Sequence, residues 1–208
     1  TDEELPEKIA DLIANEKVIG WFQGRMEFGP RALGSRTIIG DARSSEMQKT
    51  MNLKIKYRES FRPFAPSVRA ENISDYFEID RESPYMLLVA NVQKDKQVAM
   101  SEQQNSYFGL EKLNVVRSEI PAITHVDYSA RIQSVNGITN PLYHKMLTKF
   151  NDKYDCPVIV NTSFNVRGEP IVCTPKDAVM NFLTGCIDVL SIGNFIVKQP
   201  NLPKIFSE

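Results

Sequence analysis

Residues 157–165 read Pro157-Val158-Ile159-Val160-Asn161-Thr162-Ser163-Phe164-Asn165, a short apolar run that stops abruptly at amide and hydroxyl side chains. Consecutive β-branched residues suit a strand buried on both faces. Asn161, Thr162 and Ser163 then stand at the strand's carboxyl edge, where open α/β sheets bind ligands. The same side chains also cap turns for purely local reasons, so both readings stay open here.

Further apolar runs read as strands on either side. Val18–Phe22 is buried in pattern, Thr37–Ile39 is a short strand, and Asp188–Val197 offers two closing strands. Tyr85–Val92 (YMLLVANV) predicts a buried strand, and Ile123–Val135 alternates as a strand does. Phe61–Val68 (FRPFAPSV) carries two prolines and predicts an edge or irregular strand. Between these lie helices. Residues 3–16 put Leu5, Ile9, Leu12 and Ile13 on one face, and Ser44 or Ser45 can cap a helix to about Lys54. Asn72–Phe77 is a helical turn, Asn140 caps a helix through Phe150, and Thr174-Pro175 opens another to about Leu183. Gly29–Gly34 predicts a short helical turn with proline first and glycine closing it. Residues 93–118 turn polar and lose periodicity, as an exposed loop or insertion does. The mixed order predicts an α/β or α+β fold on a mixed sheet, with residues 1–208 forming one domain.

Net charge is -1, which gives no whole-chain reason to bind nucleic acid or a membrane surface. That average hides an asymmetry. Gly24–Arg69 holds ten basic residues against four acidic ones, a local +6 balanced by -7 elsewhere. Three cysteines without a CxxC pair, and two histidines remote from them in sequence, give no metal-ligand spacing. Free thiols of this kind suit a reducing cytoplasm, and no signal peptide or bilayer-length apolar run redirects the chain. A start at Thr1 without an initiator Met predicts a fragment or a processed chain.

Three constellations carry candidate chemistry. In the basic window, Lys54, Lys56 and Arg58 follow a predicted helix, and the charge run by itself reads as a solvated basic face as readily as an anion site. Arg31, Arg36 and Arg62, however, sit among Gly, Pro, Phe and Ala rather than on a polar helix face, as partner-bound arginines do. The Asn161-Thr162-Ser163 terminus is the second. The third is His125, Asp127, Ser129 and Arg131, which the alternation places on one strand face, lining a cavity or facing water. No Ser–His–Asp triad, paired carboxylates, P-loop or GxGxxG motif is present.

Gly20–Gly34 (GWFQGRMEFGPRALG), Phe61–Ser67 (FRPFAPS) and Asn161–Ile171 (NTSFNVRGEPI) together resemble the C-terminal region of the O-carbamoyltransferases that decorate nodulation factors and antibiotics. The resemblance runs from Val18 to about Val197. It implies a YrdC-like fold with a basic cavity that takes carbamoyl phosphate and ATP, the latter with Mg²⁺, and forms carbamoyl-adenylate. It also implies a separate N-terminal actin-like domain that moves the carbamoyl group to an acceptor hydroxyl. Carried over by position, the ligand contacts are Arg31, Lys56, Arg62, Arg131, Asn161 and Ser163. Arg31, Lys56 and Arg62 go to the phosphates, Lys56 and Arg131 take the catalytic part, Arg131 by stabilising charge that builds at phosphorus, and Asn161 and Ser163 orient the ligand. Tyr128 stands where the resemblance implies glycine, reshaping the wall beside Arg131. A non-catalytic nucleotide- or phosphate-binding module and a double-stranded RNA-binding domain are the competing readings.

Overall fold

The computed structural model describes residues 3–199. In chain order its elements are α1 (Leu5–Ala14), β1 (Ile19–Phe22), β2 (Arg36–Asp41), α2 (Met47–Lys54), β3 (Ala65–Arg69), α3 (Ile73–Tyr76) and β4 (Val89–Asn91). There follow α4 (Glu102–Asn105), α5 (Leu110–Leu113), β5 (Ser129–Arg131), β6 (Gln133–Val135), α6 (Pro141–Tyr154), β7 (Val158–Ser163), α7 (Pro175–Thr184), β8 (Val189–Ile192) and β9 (Phe195–Lys198). Seven strands form one mixed sheet in the order β6-β3-β7-β2-β1-β8-β9, and β4 pairs with β5 in a separate ribbon. β1 runs parallel to β8 and β3 to β6, while β2 and β3 are both antiparallel to β7.

Chemistry already visible in the sequence sets the helix starts. Asn140 accepts the Tyr143 N–H and Pro141 opens α6, while Thr174 and Asp177 form a reciprocal capping box at the head of α7. α1 and α6 pack together, α6 against β3 and β7, and α7 against β1 and β8. β1 and β2 are buried along their whole length, which is why their sequences lack a polar alternation. No helix of the described residues is long and apolar enough to cross a membrane.

Several local expectations are corrected. β3 is an interior strand despite Pro66, because its ladder to β6 begins only at Ser67. Gly29–Gly34 forms no helical turn; it is an irregular loop. Tyr85–Val92 is not a buried strand. Val89–Asn91 forms its one strand, with Val92 bridged to Phe77, and Tyr85, Leu87 and Val89 are 66%, 69% and 60% exposed while Met86 and Val92 are buried. Residues 93–118 are folded, with a 3₁₀ turn at Lys94–Lys96, α4 capped reciprocally by Ser101 and Gln104, α5, and a bridge from Gln97 to Ser118, and they end on the buried Arg117 and Ser118. Ile123–Val135 divides into a 3₁₀ turn at Pro121–Ile123, a tight turn over 125–128, and β5 and β6.

Candidate active site

The candidate site begins with how the loop before β2 is held. Glu27 Oε1 accepts the N–H groups of Leu33 at 2.6 Å, Ser35 at 2.8 Å and Arg36 at 3.3 Å, folding residues 27–36 back on themselves. Gly34 takes φ +105°, and an added Cβ would meet the Tyr143 ring at 2.5 Å, so only glycine fits. Trp21 Nε1 donates to Gly34 O at 2.8 Å, and Gln133 Nε2 donates to Leu33 O at the same distance. Arg31 projects from a loop fixed at both flanks.

The floor is a buried polar network. Asn161 Nδ2 donates to Ala32 O at 3.0 Å, Ser67 Oγ at 3.0 Å and Gln133 Oε1 at 2.7 Å. Ser67 Oγ donates to Gln133 Oε1 and receives the Tyr143 hydroxyl. With its amide nitrogen committed, Asn161 Oδ1 is left buried with no hydrogen-bond partner in the protein. An orphaned buried acceptor is rare enough to need a reason.

Over this floor lie two adjoining hollows, of about 180 and about 280 Å³, that meet at Arg58, Thr162 and Ser163. The smaller collects Arg31, Arg58, Arg131, Asn161 and Ser163; the larger collects Lys56, Arg58, Arg62, Ser163 and Arg167. All six residues singled out from sequence therefore line this shared depression. Its lining has six cationic side chains and one acid, Glu59. Among the described residues, no carboxylate pairs with Arg31 or Arg131, and the buried Arg131 Nε has no partner. Burial and the neighbouring Arg31 charge pull the Arg131 guanidinium down from its ordinary pKa. Burial, then Arg62, does the same to Arg58, which donates to Asn52 Oδ1 at 2.6 Å.

Lys56 is 7% exposed, and its Nζ donates to Ser163 O at 2.6 Å and to Asn165 O and Oδ1, each at 2.8 Å. Burial, and less so Arg58, brings its pKa down to about 7. Its ammonium thus fastens the end of β7 while lending charge to the larger hollow. Arg62 is exposed, as are Arg31 and Arg167, and lies 3.9 Å from Glu59.

Three expectations change. Arg36 is not in the depression: its guanidinium lies 3.5 Å from the Phe22 ring centroid and donates to the carbonyls of Gln23, Gly24 and Ser35. Asn161 does not project from a strand's carboxyl edge in a parallel sheet, since both neighbours of β7 are antiparallel to it; it lies inside the floor. His125, Asp127, Ser129 and Arg131 do not share a strand face, because 125–128 turn back with His125 N–H donating to Ser129 O. Ser129 Oγ donates to Asp127 at 2.7 Å, so the trio is a turn lock and no Ser–His–Asp relay. Tyr128 adopts φ +64°, the backbone form glycine favours, so the tyrosine occupies a turn suited to the residue the resemblance implies. Arg58 and Arg167 line the depression without being among the assigned ligand contacts; both lie within stretches already marked by sequence, Arg58 in the basic window and Arg167 five residues after Thr162.

Residues 10–199 match the family model for the carbamoyltransferase C-terminus. The chain is 58% identical over 98% of its length to the Synechocystis protein sll1178, covering 33% of that protein. It is 34% identical over 82% of its length to the 3'-hydroxymethylcephem-O-carbamoyltransferase of Streptomyces clavuligerus, covering 28% of that protein. It thus spans about a third of the length of the curated relatives it matches. Among solved structures, full-length HypF in its phosphate- and nucleotide-bound form superposes with TM-score 0.56 at 15% identity, over 91% of this chain and 25% of that one. That likeness bears on fold alone, and it agrees with the YrdC-like architecture. The chain belongs to the carbamoyltransferase C-terminal family.

Proposed function

We propose that this domain is the carbamoyl-activating part of an O-carbamoyltransferase, taking carbamoyl phosphate and ATP and producing carbamoyl-adenylate for transfer to an acceptor hydroxyl by an actin-like domain of the same protein. The observation that carries this reading is the convergence of Arg31, Lys56, Arg62 and Arg131, drawn from distant parts of the chain, on one depression whose sole acid is Glu59. Such a cationic excess matches several phosphate charges and little else.

The assigned roles follow from side-chain chemistry. Arg31, Arg58 and Arg62 hold phosphate oxygens through guanidinium forks, and Lys56 adds a compact charge. Arg131, half sunk and without a carboxylate, stabilises charge that builds at phosphorus. Asn161, which lines the smaller hollow, has a buried Oδ1 without a partner, an acceptor among donors that suits the carbamoyl NH₂. Ser163 orients the ligand beside it. In balance, carbamoyl phosphate gives up phosphate to water, and the resulting carbamate oxygen bonds the α-phosphorus of ATP as pyrophosphate leaves. Glu59 is tied to Arg62 and offers no carboxylate cage, so Mg²⁺ fits as an ion carried on the nucleotide phosphates, where it offsets their charge.

Incubation with carbamoyl phosphate and MgATP tests the proposal. Pyrophosphate release that depends on carbamoyl phosphate and is lost in Arg131→Ala is expected. Tight ligand binding without pyrophosphate in both the chain and the longer protein identifies a non-catalytic binding module. Affinity for duplex RNA that drops steeply with salt marks the RNA-binding reading.

A further inference from the structure

Behind the 58–62 loop lies another hollow of about 330 Å³, walled by α2, by Ser60 and Phe61, and by residues 113–121. It shares no lining residue with the depression described above. Arg117 lines it, at only 4% exposure. One Nη of that guanidinium donates to Lys112 O, but its Nε is buried without a partner. No carboxylate among the described residues pairs with it, and burial pulls its pKa down. A buried guanidinium with an unused N–H edge is an arrangement proteins avoid unless something completes it.

The lining says what would complete it. Its only other charges, Lys49 and Glu46, approach each other at 4.0 Å and offset one another. The hollow therefore presents one uncompensated positive charge, where the candidate active site presents several. Phe61, Leu113 and Val116 supply an apolar wall beside it. One cation and an apolar wall complement a monoanion with an apolar body, not a polyphosphate.

We infer that this hollow is a second ligand site, for a small monocarboxylate whose oxygens take the Nε–H edge of Arg117 and whose body packs on Phe61, Leu113 and Val116. Gln48 joins the hollow to the reaction face, since its Nε2 donates to Phe61 O and Arg62 O at 3.2 Å each. A bound carboxylate thus sits directly behind the loop that presents Arg58 and Arg62.

Benzoate is the probe, followed by NMR titration of the isotope-labelled chain. Saturable one-to-one binding is expected, with the largest shifts in residues 113–121. Arg117→Met should weaken it roughly ten- to a hundred-fold, the range for losing a charge-assisted hydrogen bond. Arg131→Met should leave benzoate binding unchanged while weakening that of pyrophosphate, which separates this site from the other. Absence of saturation, or equal affinity in Arg117→Met, overturns the inference. Where Arg117→Met does not fold, Val116→Trp fills the hollow from its exposed rim; benzoate binding undiminished in that variant overturns it equally.

Discussion

Two arginine neighbourhoods of the same chain meet opposite fates. Flanking β2, Arg36 stacks on Phe22 and spends its two Nη groups on three backbone carbonyls, leaving only Nε unpartnered, while Arg43 donates to Asp41 at 2.7 Å and to Tyr154 O. Across the depression at the end of β7, Arg31 and Arg131 face each other's charge without a carboxylate partner. The first pair is consumed by the fold; the second is held at a cost in repulsion and desolvation that an anion would offset. Charge density in sequence does not separate them. A count of satisfied donors does.

The contrast can be broken most forcefully from the structural side. Arg36→Met leaves the Gln23, Gly24 and Ser35 carbonyls uncapped, and we expect a loss of about 3 kcal/mol in denaturant unfolding with unchanged pyrophosphate affinity in the folded fraction. The opposite pattern is expected of Arg31→Ala and Arg131→Ala. Pyrophosphate affinity should fall roughly ten- to a hundred-fold by calorimetry, with stability unchanged or slightly raised as repulsion is relieved. Equal affinity in both variants would remove the distinction altogether.

A smaller effect comes from Lys56, whose folded pKa of about 7 lies below its usual 10.5. The ammonium is charged below pH 7 and neutral above it, so sulfate, which does not titrate in this range, should bind best at low pH. Its affinity should decline several-fold as pH rises from about 6 to 9, and Lys56→Met should flatten that curve. The least change is expected of Glu59→Gln. Releasing Arg62 from a 3.9 Å exposed pair should raise pyrophosphate affinity about two-fold or less, with stability moving by under about 0.5 kcal/mol.

Legibility from sequence followed the range of the governing interaction. Local signals were readable: the proline and caps that open α6 and α7, and the apolar runs of β1, β7 and β8, all appear where their chemistry demands. Burial decided by distant packing was not. Tyr85–Val92 has the composition of a core strand, yet its ribbon with β5 stands apart from the main sheet and leaves Leu87 and Val89 outside. Pro66 marked an edge by local rule, but β7 pairs along one side of it while β6 joins the other side only from Ser67, which makes β3 an interior strand. In the site, Arg31, Lys56, Arg62, Arg131, Asn161 and Ser163 were found through motif resemblance, and the depression gathers all of them. Arg36 was misread because a cation's partner, whether carbonyl, ring or ligand, is fixed by tertiary contacts. Arg58, named in the basic window, is missing from the ligand contacts for the same reason, its Asn52 contact and its place between the hollows being invisible in one dimension.

Trp21, the sole tryptophan of the chain, packs 5.9 Å from Tyr143 and is hydrogen-bonded to the carbonyl of Gly34, three residues beyond Arg31. The protein consequently carries its own optical gauge. Any occupant that tugs on the Arg31 loop perturbs a single indole, so intrinsic emission reads out occupancy in an unlabelled sample.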